Sequence, residues 1–130
     1  MNTKQEWIDK ARVAYQKAYV PYSHFPVGAC LVAKDGTTFT GVNIENASFG
    51  LTNCAERTAV FKAVSEGYTE FQHIIIAGET EAPIAPCGAC RQVLSEFCSA
   101  DMPVTLVNKD GKLKELTLGE LLPYSFATLD

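Results

Sequence analysis

Three cysteines and one glutamate stand where thiolate and proton chemistry can be done. In Thr52-Asn53-Cys54-Ala55-Glu56-Arg57 a cysteine opens a predicted helix, and in Ala85-Pro86-Cys87-Gly88-Ala89-Cys90-Arg91-Gln92 a C-x-x-C pair does the same. At a helix start the backbone N–H groups lack intrahelical acceptors and the macrodipole is positive, so thiolates are favoured there. A cysteine at the entry and another one turn on can converge on a point about 2.3 Å from each sulfur, which is the geometry zinc asks for. Three protein ligands rather than four leave a position for water, the mark of a catalytic zinc. Glu56, two residues after Cys54, could exchange a proton with such a water without being a ligand.

Each of these residues also has a plainer use. Asn53 and Glu56 fit a capping box, for which a glutamate at this position is ordinary. A lone C-x-x-C is equally a redox pair or half of a structural zinc site. Against the redox pair, the motif falls late in the chain and leaves Cys54 and Glu56 unexplained. Against the structural site, a fourth ligand would have to come from Cys30, Cys98, His24 or His73, none of which is paired with another at ligand spacing. Cys30 in a strand and Cys98 on an apolar helix face are read as packing, and His24 and His73 as structural or solvent-facing.

The elements that must position these groups are legible from periodicity. Thr3 and Glu6 suggest a cap, and Trp7, Ile8, Ala11, Ala14, Tyr15 and Ala18 recur at helical spacing until Pro21. Val27 to Lys34 and Thr37 to Val42 read as two strands joined at Asp35-Gly36, a dipeptide in which both residues tolerate positive φ. A second helix runs from the Asn53 region to Gly67. Phe71 to Ala77, with three consecutive isoleucines, reads as a strand covered on both faces, hence central in a sheet. A third helix begins near Cys87, Pro103 to Asn108 is a strand, and Lys112 to Leu116 is a short one. Thr117 and Glu120 cap a last helix through Leu122. The order predicts a three-layer α/β/α sandwich around a mixed sheet of about five strands, with residues 1–130 as a single domain.

Composition narrows the class of function. The 130 residues carry 11 basic and 15 acidic side chains, a formal net charge of -4, with 47% hydrophobic residues and 20% charged. A chain of this length can bury roughly two thirds of its unfolded surface and needs no disulfides for a core. No cluster of Lys and Arg is present to bind phosphates, so nucleic acid is not expected as a partner. No apolar run approaches the ~20 residues of a membrane span. The start, Met1 to Glu6, has no apolar signal core, so a cytoplasmic protein is expected. The odd count of five cysteines then points to packing, metal binding or thiol chemistry.

Cys54-Ala55-Glu56 together with Pro86-Cys87-Gly88-Ala89-Cys90 resembles the signature of the zinc-dependent cytidine deaminase superfamily. Three further stretches, Pro21 to Ala29, Gly41 to Ala47 and Cys54 to Gly67, look like the short nucleoside-type cytidine deaminases in particular. With Pro86 to Gln92 and Leu121-Leu122-Pro123, the likeness spans nearly the whole chain. Cysteine replaces the histidine of the general signature, as in the members that use three thiolates.

The resemblance implies one Zn²⁺ per subunit on Cys54, Cys87 and Cys90, and deamination of cytidine and 2′-deoxycytidine in pyrimidine salvage. Glu56 would take a proton from the water, deliver it to N3 of the ring and then protonate the departing amine. Three thiolates on Zn²⁺ leave a net negative cluster, and the resemblance gives Arg57 the role of offsetting it. Asn43 and Glu45, at i, i+2 spacing after a strand, would hold the ribose, with Ile44 in the same contact segment. Phe25 would contact the pyrimidine, and Phe126 would reach a neighbouring subunit's site in a homotetramer. Phe49 departs from the pattern, standing where many relatives carry tyrosine near the subunit junction. Two alternatives stay open: a deaminase of another aminopyrimidine nucleoside, such as a nucleoside antibiotic, and a non-enzymatic zinc or redox module.

Overall fold

The computed structural model describes residues 4–126 of the chain. Among them a five-stranded mixed sheet has the order β2-β1-β3-β4-β5. Its strands are β1 (Val27–Ala33), β2 (Thr38–Val42), β3 (Phe71–Gly78), β4 (Pro103–Val107) and β5 (Leu113–Thr117). The helices are α1 (Lys4–Ala14), α2 (Ala55–Ser65), α3 (Gly88–Phe97) and the short α4 (Leu118–Leu121). The isoleucine strand β3 is central, pairing antiparallel with β1 and parallel with β4.

Side chains alternate across the sheet and so divide the core in two. Cys30, Val32, Ile75, Ala77 and Val107 face α1 through Ile8 and Ala11. Leu31, Ile74, Ile76, Val104 and Leu106 face α2, α3 and α4 through Ala59, Val60, Leu94 and Leu118. This is the expected three-layer arrangement, with Cys30 packed in one layer and the half-buried Cys98 packed against the other.

Register decides which loops meet. Gly28 pairs with Val42, and Val27 with Gly78. The C-terminal ends of β2 and β3 therefore lie at the same sheet end as the start of β1. The chain leaving β2 leads into α2 and the chain leaving β3 leads into α3, so both helix N-termini open at that end, where ligands of α/β sheets commonly bind.

Three local expectations are corrected. The first helix stops at Ala14 and tightens into a 3₁₀ turn over Tyr15–Lys17, with Ala18 already extended, before Pro21 is reached. The reason is a competing strap: the Tyr19 N–H donates to the Asn43 carbonyl at 3.0 Å and the Glu45 N–H to the Tyr19 carbonyl at 2.9 Å. In the β1–β2 turn only Gly36 takes positive φ, at 93°. Asp35 instead accepts the Thr37 N–H on its carboxylate at 2.9 Å, and the Gly36 N–H closes onto Ala33 at 3.0 Å. A three-residue hairpin loop results. Finally, α2 is N-capped by Cys54 with no side-chain cap bond, so Asn53 and Glu56 form no capping box. At the other end of α2, Gly67 (φ 96°) completes a Schellman motif with Tyr68 N–H on the Ala63 carbonyl at 3.0 Å. The capping box of α4 is formed by Thr117 and Glu120 as expected; Thr3 of the other expected cap lies outside the described residues.

Two packing features yield measurable consequences. A Cβ on Gly41 would sit 2.3 Å from the Ala55 carbonyl oxygen and 2.5 Å from the Ala59 nitrogen, backbone atoms of α2 that cannot swing aside. Gly41→Ala is expected to destabilise by about 1–3 kcal/mol in urea unfolding. Gly50→Ala, with nothing within 4 Å, should stay within about 0.5 kcal/mol. On the α1 side, His73 is buried against Trp7 and shares a 2.7 Å hydrogen bond with Thr105, beside Lys4 and Glu115. Burial first, and then the Lys4 charge, lower its pKa from 6.5 to about 4. Between those values the unfolded chain binds a proton that the native state refuses, so stability falls as pH drops through the window. The Tm of His73→Gln should therefore depend less steeply on pH than that of the parent between pH 6.5 and 4.

Candidate active site and metal centre

At the sheet end defined above, Cys54 caps α2 and Cys87 caps α3, both in extended conformation. Cys90 lies one turn into α3 and is fully buried. The three sulfurs lie within 4.8 Å of one another, with Cys54 and Cys87 3.6 Å apart and Cys87 and Cys90 3.3 Å apart. A tetrahedral centre with bonds of about 2.3 Å needs sulfurs about 3.8 Å apart, so the donor set fits one zinc ion with small adjustments. It is the one such cluster among the described residues.

The charges are arranged to hold thiolates. Cys54 falls from 9.0 to about 5, first through its hydrogen bond with Cys90 and then, against the opposing cost of burial, through Arg57 and Cys87. Cys90 moves upward, because it gives that hydrogen bond to Cys54 and is buried. Between these two, the thiolate is favoured at Cys54 and the proton at Cys90. Arg57 donates from Nη2 to the Cys54 sulfur at 3.3 Å, and this bond raises its own pKa. Its Nε is buried and has no hydrogen-bond partner among the described residues.

Glu56 is 4% exposed at the second position of α2. Burial pushes its carboxyl up; its backbone N–H opposes this and the Cys54 thiolate reinforces it. A buried carboxyl with a raised pKa beside a thiolate cluster is suited to carry a proton at neutral pH.

A cavity of about 190 Å³ is lined by Glu56, Cys54 and Cys87 together with Phe25, Asn43 and Ile84. Phe25 is 42% exposed, so it is a wall of this cavity and not core packing. Asn43 and Glu45 both reach the 22–27 segment, but only Asn43 lines this cavity. Glu45 lines a second space of about 350 Å³ with Tyr22, Ser23, Phe49 and Thr52. Ile44 has its backbone paired to Tyr19 and Asn53 on either side, with the side chain exposed. Phe126 is exposed and outside both cavities, its carbonyl accepting from Gln92 Nε2 at 2.8 Å.

Sequence reasoning missed three contributors. Ile84 packs over Gly78 and lines the cavity; its place between Pro83 and Pro86, just ahead of Cys87, was the available signal. Thr58 Oγ1 reaches the carbonyls of Val42 and Cys54 at 3.0 and 3.1 Å and accepts from Asn53, tying the end of β2 to the cap of α2. Arg91, inside the motif, bonds the Pro86 carbonyl at 2.9 Å and the Leu121 carbonyl at 2.8 Å, which fixes the turn into α3. Neither tie between elements had a sequence signal, because the Val42 and Leu121 carbonyls lie 16 and 30 residues away.

Comparison with known proteins places this geometry. Residues 1–106 match a family model described as the cytidine and deoxycytidylate deaminase zinc-binding region. The chain is 52% identical over 126 residues to a cytidine deaminase of Sporosarcina psychrophila, covering 97% of this chain and 93% of that one. It is 54% identical over 127 residues to a cytidine deaminase of Halalkalibacterium halodurans, covering 98% and 96%. The crystal structure of a cytidine deaminase from Burkholderia pseudomallei superposes with a TM-score of 0.93 at 51% identity, covering 96% and 100% of the two chains.

The Arg57 contact has a direct test. Arg57→Ala removes a donor to one metal-binding sulfur, so zinc affinity, measured by competition with a chromogenic chelator, should weaken about 10- to 100-fold. Arg12→Ala, which removes a guanidinium bonded to the Lys109 carbonyl, should leave zinc affinity unchanged.

Proposed function

The chain belongs to the cytidine and deoxycytidylate deaminase family, and on that premise we propose that it hydrolyses cytidine and 2′-deoxycytidine to uridine and 2′-deoxyuridine with release of ammonia. The observation that carries the reading is the buried Glu56 sharing one cavity with the cysteine cluster, Asn43 and an aromatic wall. Cys54, Cys87 and Cys90 would hold a single Zn²⁺. The bound ion supplies the Lewis acidity that makes water a nucleophile at neutral pH.

The chain's own residues do the rest. Glu56 accepts a proton from the attacking water and passes it to ring N3 as C4 is attacked. It then takes the remaining proton from the new C4 hydroxyl and delivers it to the exocyclic amine, so that ammonia leaves and the carbonyl of the product forms. The raised pKa lets the same carboxyl serve as acceptor and donor in turn. Phe25 lies against the pyrimidine face, and the tight cavity excludes bulk water around Glu56. Arg57 offsets the charge of the thiolate cluster.

The sugar is held where the cavity opens. Glu45 already accepts three protein hydrogen bonds, which leaves about one of its four acceptor positions. Asn43 uses one amide N–H on Phe25 and keeps the other. A hydroxyl that donates to Glu45 and accepts from Asn43 matches this pair, and a ribose supplies one. Ile44 lies between Asn43 and Glu45 in the same segment.

Residues 1–130 act as one catalytic domain in this reading. Phe49 and Leu51 are 77% and 71% exposed, and such apolar exposure supports self-association into a homotetramer, in which Phe126 reaches a neighbouring site. No helix among the described residues is long and apolar enough to cross a membrane. A small nucleoside substrate suits a cytoplasmic role in pyrimidine salvage.

Ammonia release from cytidine by the zinc-loaded protein, beside Glu56→Gln, tests the assignment. Turnover by the parent is expected, with a loss in the variant of at least about 10²- to 10⁴-fold at unchanged zinc content. Equal rates in the two proteins would remove Glu56 from the mechanism, and no turnover of either nucleoside by the parent would remove the substrate.

A further inference from the structure

The segment that carries Phe25 is held by two side chains of the following strap. Glu45 Oε1 accepts the backbone N–H groups of Tyr22 at 3.0 Å and Ser23 at 3.1 Å, and Oε2 accepts the Ser23 hydroxyl. The Ser23 oxygen in turn accepts the Phe25 N–H at 3.1 Å. Asn43 closes the far side, donating to the Phe25 carbonyl at 2.8 Å and accepting the Val27 N–H at 2.9 Å. Between the two clamps His24 has φ 57°, the left-handed region that a residue with a Cβ enters only at a cost. That conformation persists where surrounding bonds over-determine it.

We propose that Ser23 is a positioning residue that couples sugar recognition to base recognition. The inference rests on the function proposed above and adds a residue to it. A hydroxyl has one proton and two lone pairs. Donating the proton to Glu45 fixes where the lone pair that receives the Phe25 N–H points. The carboxylate that would hold the sugar and the aromatic ring that would hold the base are thereby set by one oxygen atom. The same bond holds the Glu45 pKa down, with its carboxylate ionised and ready to accept a hydroxyl.

Loss of the Ser23 hydroxyl frees Glu45 to rotate and leaves the Phe25 N–H to water. Both groups touch parts of the substrate that do not react, so the loss falls equally on ground and transition states: KM rises and kcat holds. Hydrogen bonds to a charged group, discounted for exposure, correspond to a change of about tenfold.

The test uses the zinc-loaded parent, Ser23→Ala and Ser23→Thr. For Ser23→Ala the expected result is a KM for cytidine about tenfold higher and an inhibition constant for uridine raised by the same factor. Its kcat should stay within about twofold, with unchanged zinc content and Tm; Ser23→Thr should restore both constants. In a Glu45→Ala background the Ser23→Ala substitution should add less than about twofold, because the two act as a unit. Unchanged KM and uridine binding in Ser23→Ala overturn the proposal, as does full additivity with Glu45→Ala. A fall in kcat together with zinc content also overturns it, since the hydroxyl would then be serving the fold. A parent that turns over neither nucleoside overturns the function itself, and this inference with it.

Discussion

Two helix N-termini opening at one end of one sheet is the constraint on which the rest of the molecule depends. A thiolate at a helix cap is stabilised by N–H groups that have no other acceptor, and here two such caps face each other closely enough for their sulfurs to lie 3.6 Å apart. That separation is set by the sheet. The strands β2 and β3 flank β1 and run in the same direction, so the helices that follow them start side by side. The approach of α2 to β2 is fixed by Gly41, where backbone occupies the space of a side chain.

Burial then divides the labour among groups of similar chemistry. Cys54, half-buried beside Arg57, is drawn toward the thiolate, whereas Cys90, a turn deeper, keeps its proton. Glu56 and Glu45 are both carboxylates, yet they are pushed in opposite directions. Desolvation raises Glu56, while the Ser23 hydroxyl and backbone N–H groups lower Glu45. One is suited to moving a proton and the other to staying ionised.

The strap of residues 43–45 shows how much binding geometry is carried by backbone pairing. Ile44 is bridged to Tyr19 on one side and Asn53 on the other. Asn43 and Glu45 extend from this doubly paired segment to hold the 22–27 loop. A polar pair that resembles an ordinary turn in the linear chain lines two cavities, Asn43 one and Glu45 the other, from a main chain committed on both sides.

The sequence alone determined the sheet's central strand, the two cysteine-led helices and the capping box at Thr117, because hydrophobic period and local cap chemistry act over a few residues. Helix-start thiols marked Cys54, Cys87, Cys90 and Glu56 as candidates beside plainer uses, the resemblance to a deaminase signature singled them out, and the fold brings the three sulfurs together. Tertiary structure decided what depends on partners far along the chain. It ended the first helix at Ala14, because Tyr19 pairs with the strap. It made Cys54 and not Asn53 the cap of α2, and so left the Glu56 side chain buried in the cavity wall. It also placed Ile84 over Gly78, Thr58 on the Val42 carbonyl and Arg91 on the Leu121 carbonyl, contacts that no local pattern encodes. Hydrogen bonds and burial are made in space, and spacing in sequence reports them only where the fold keeps near neighbours together.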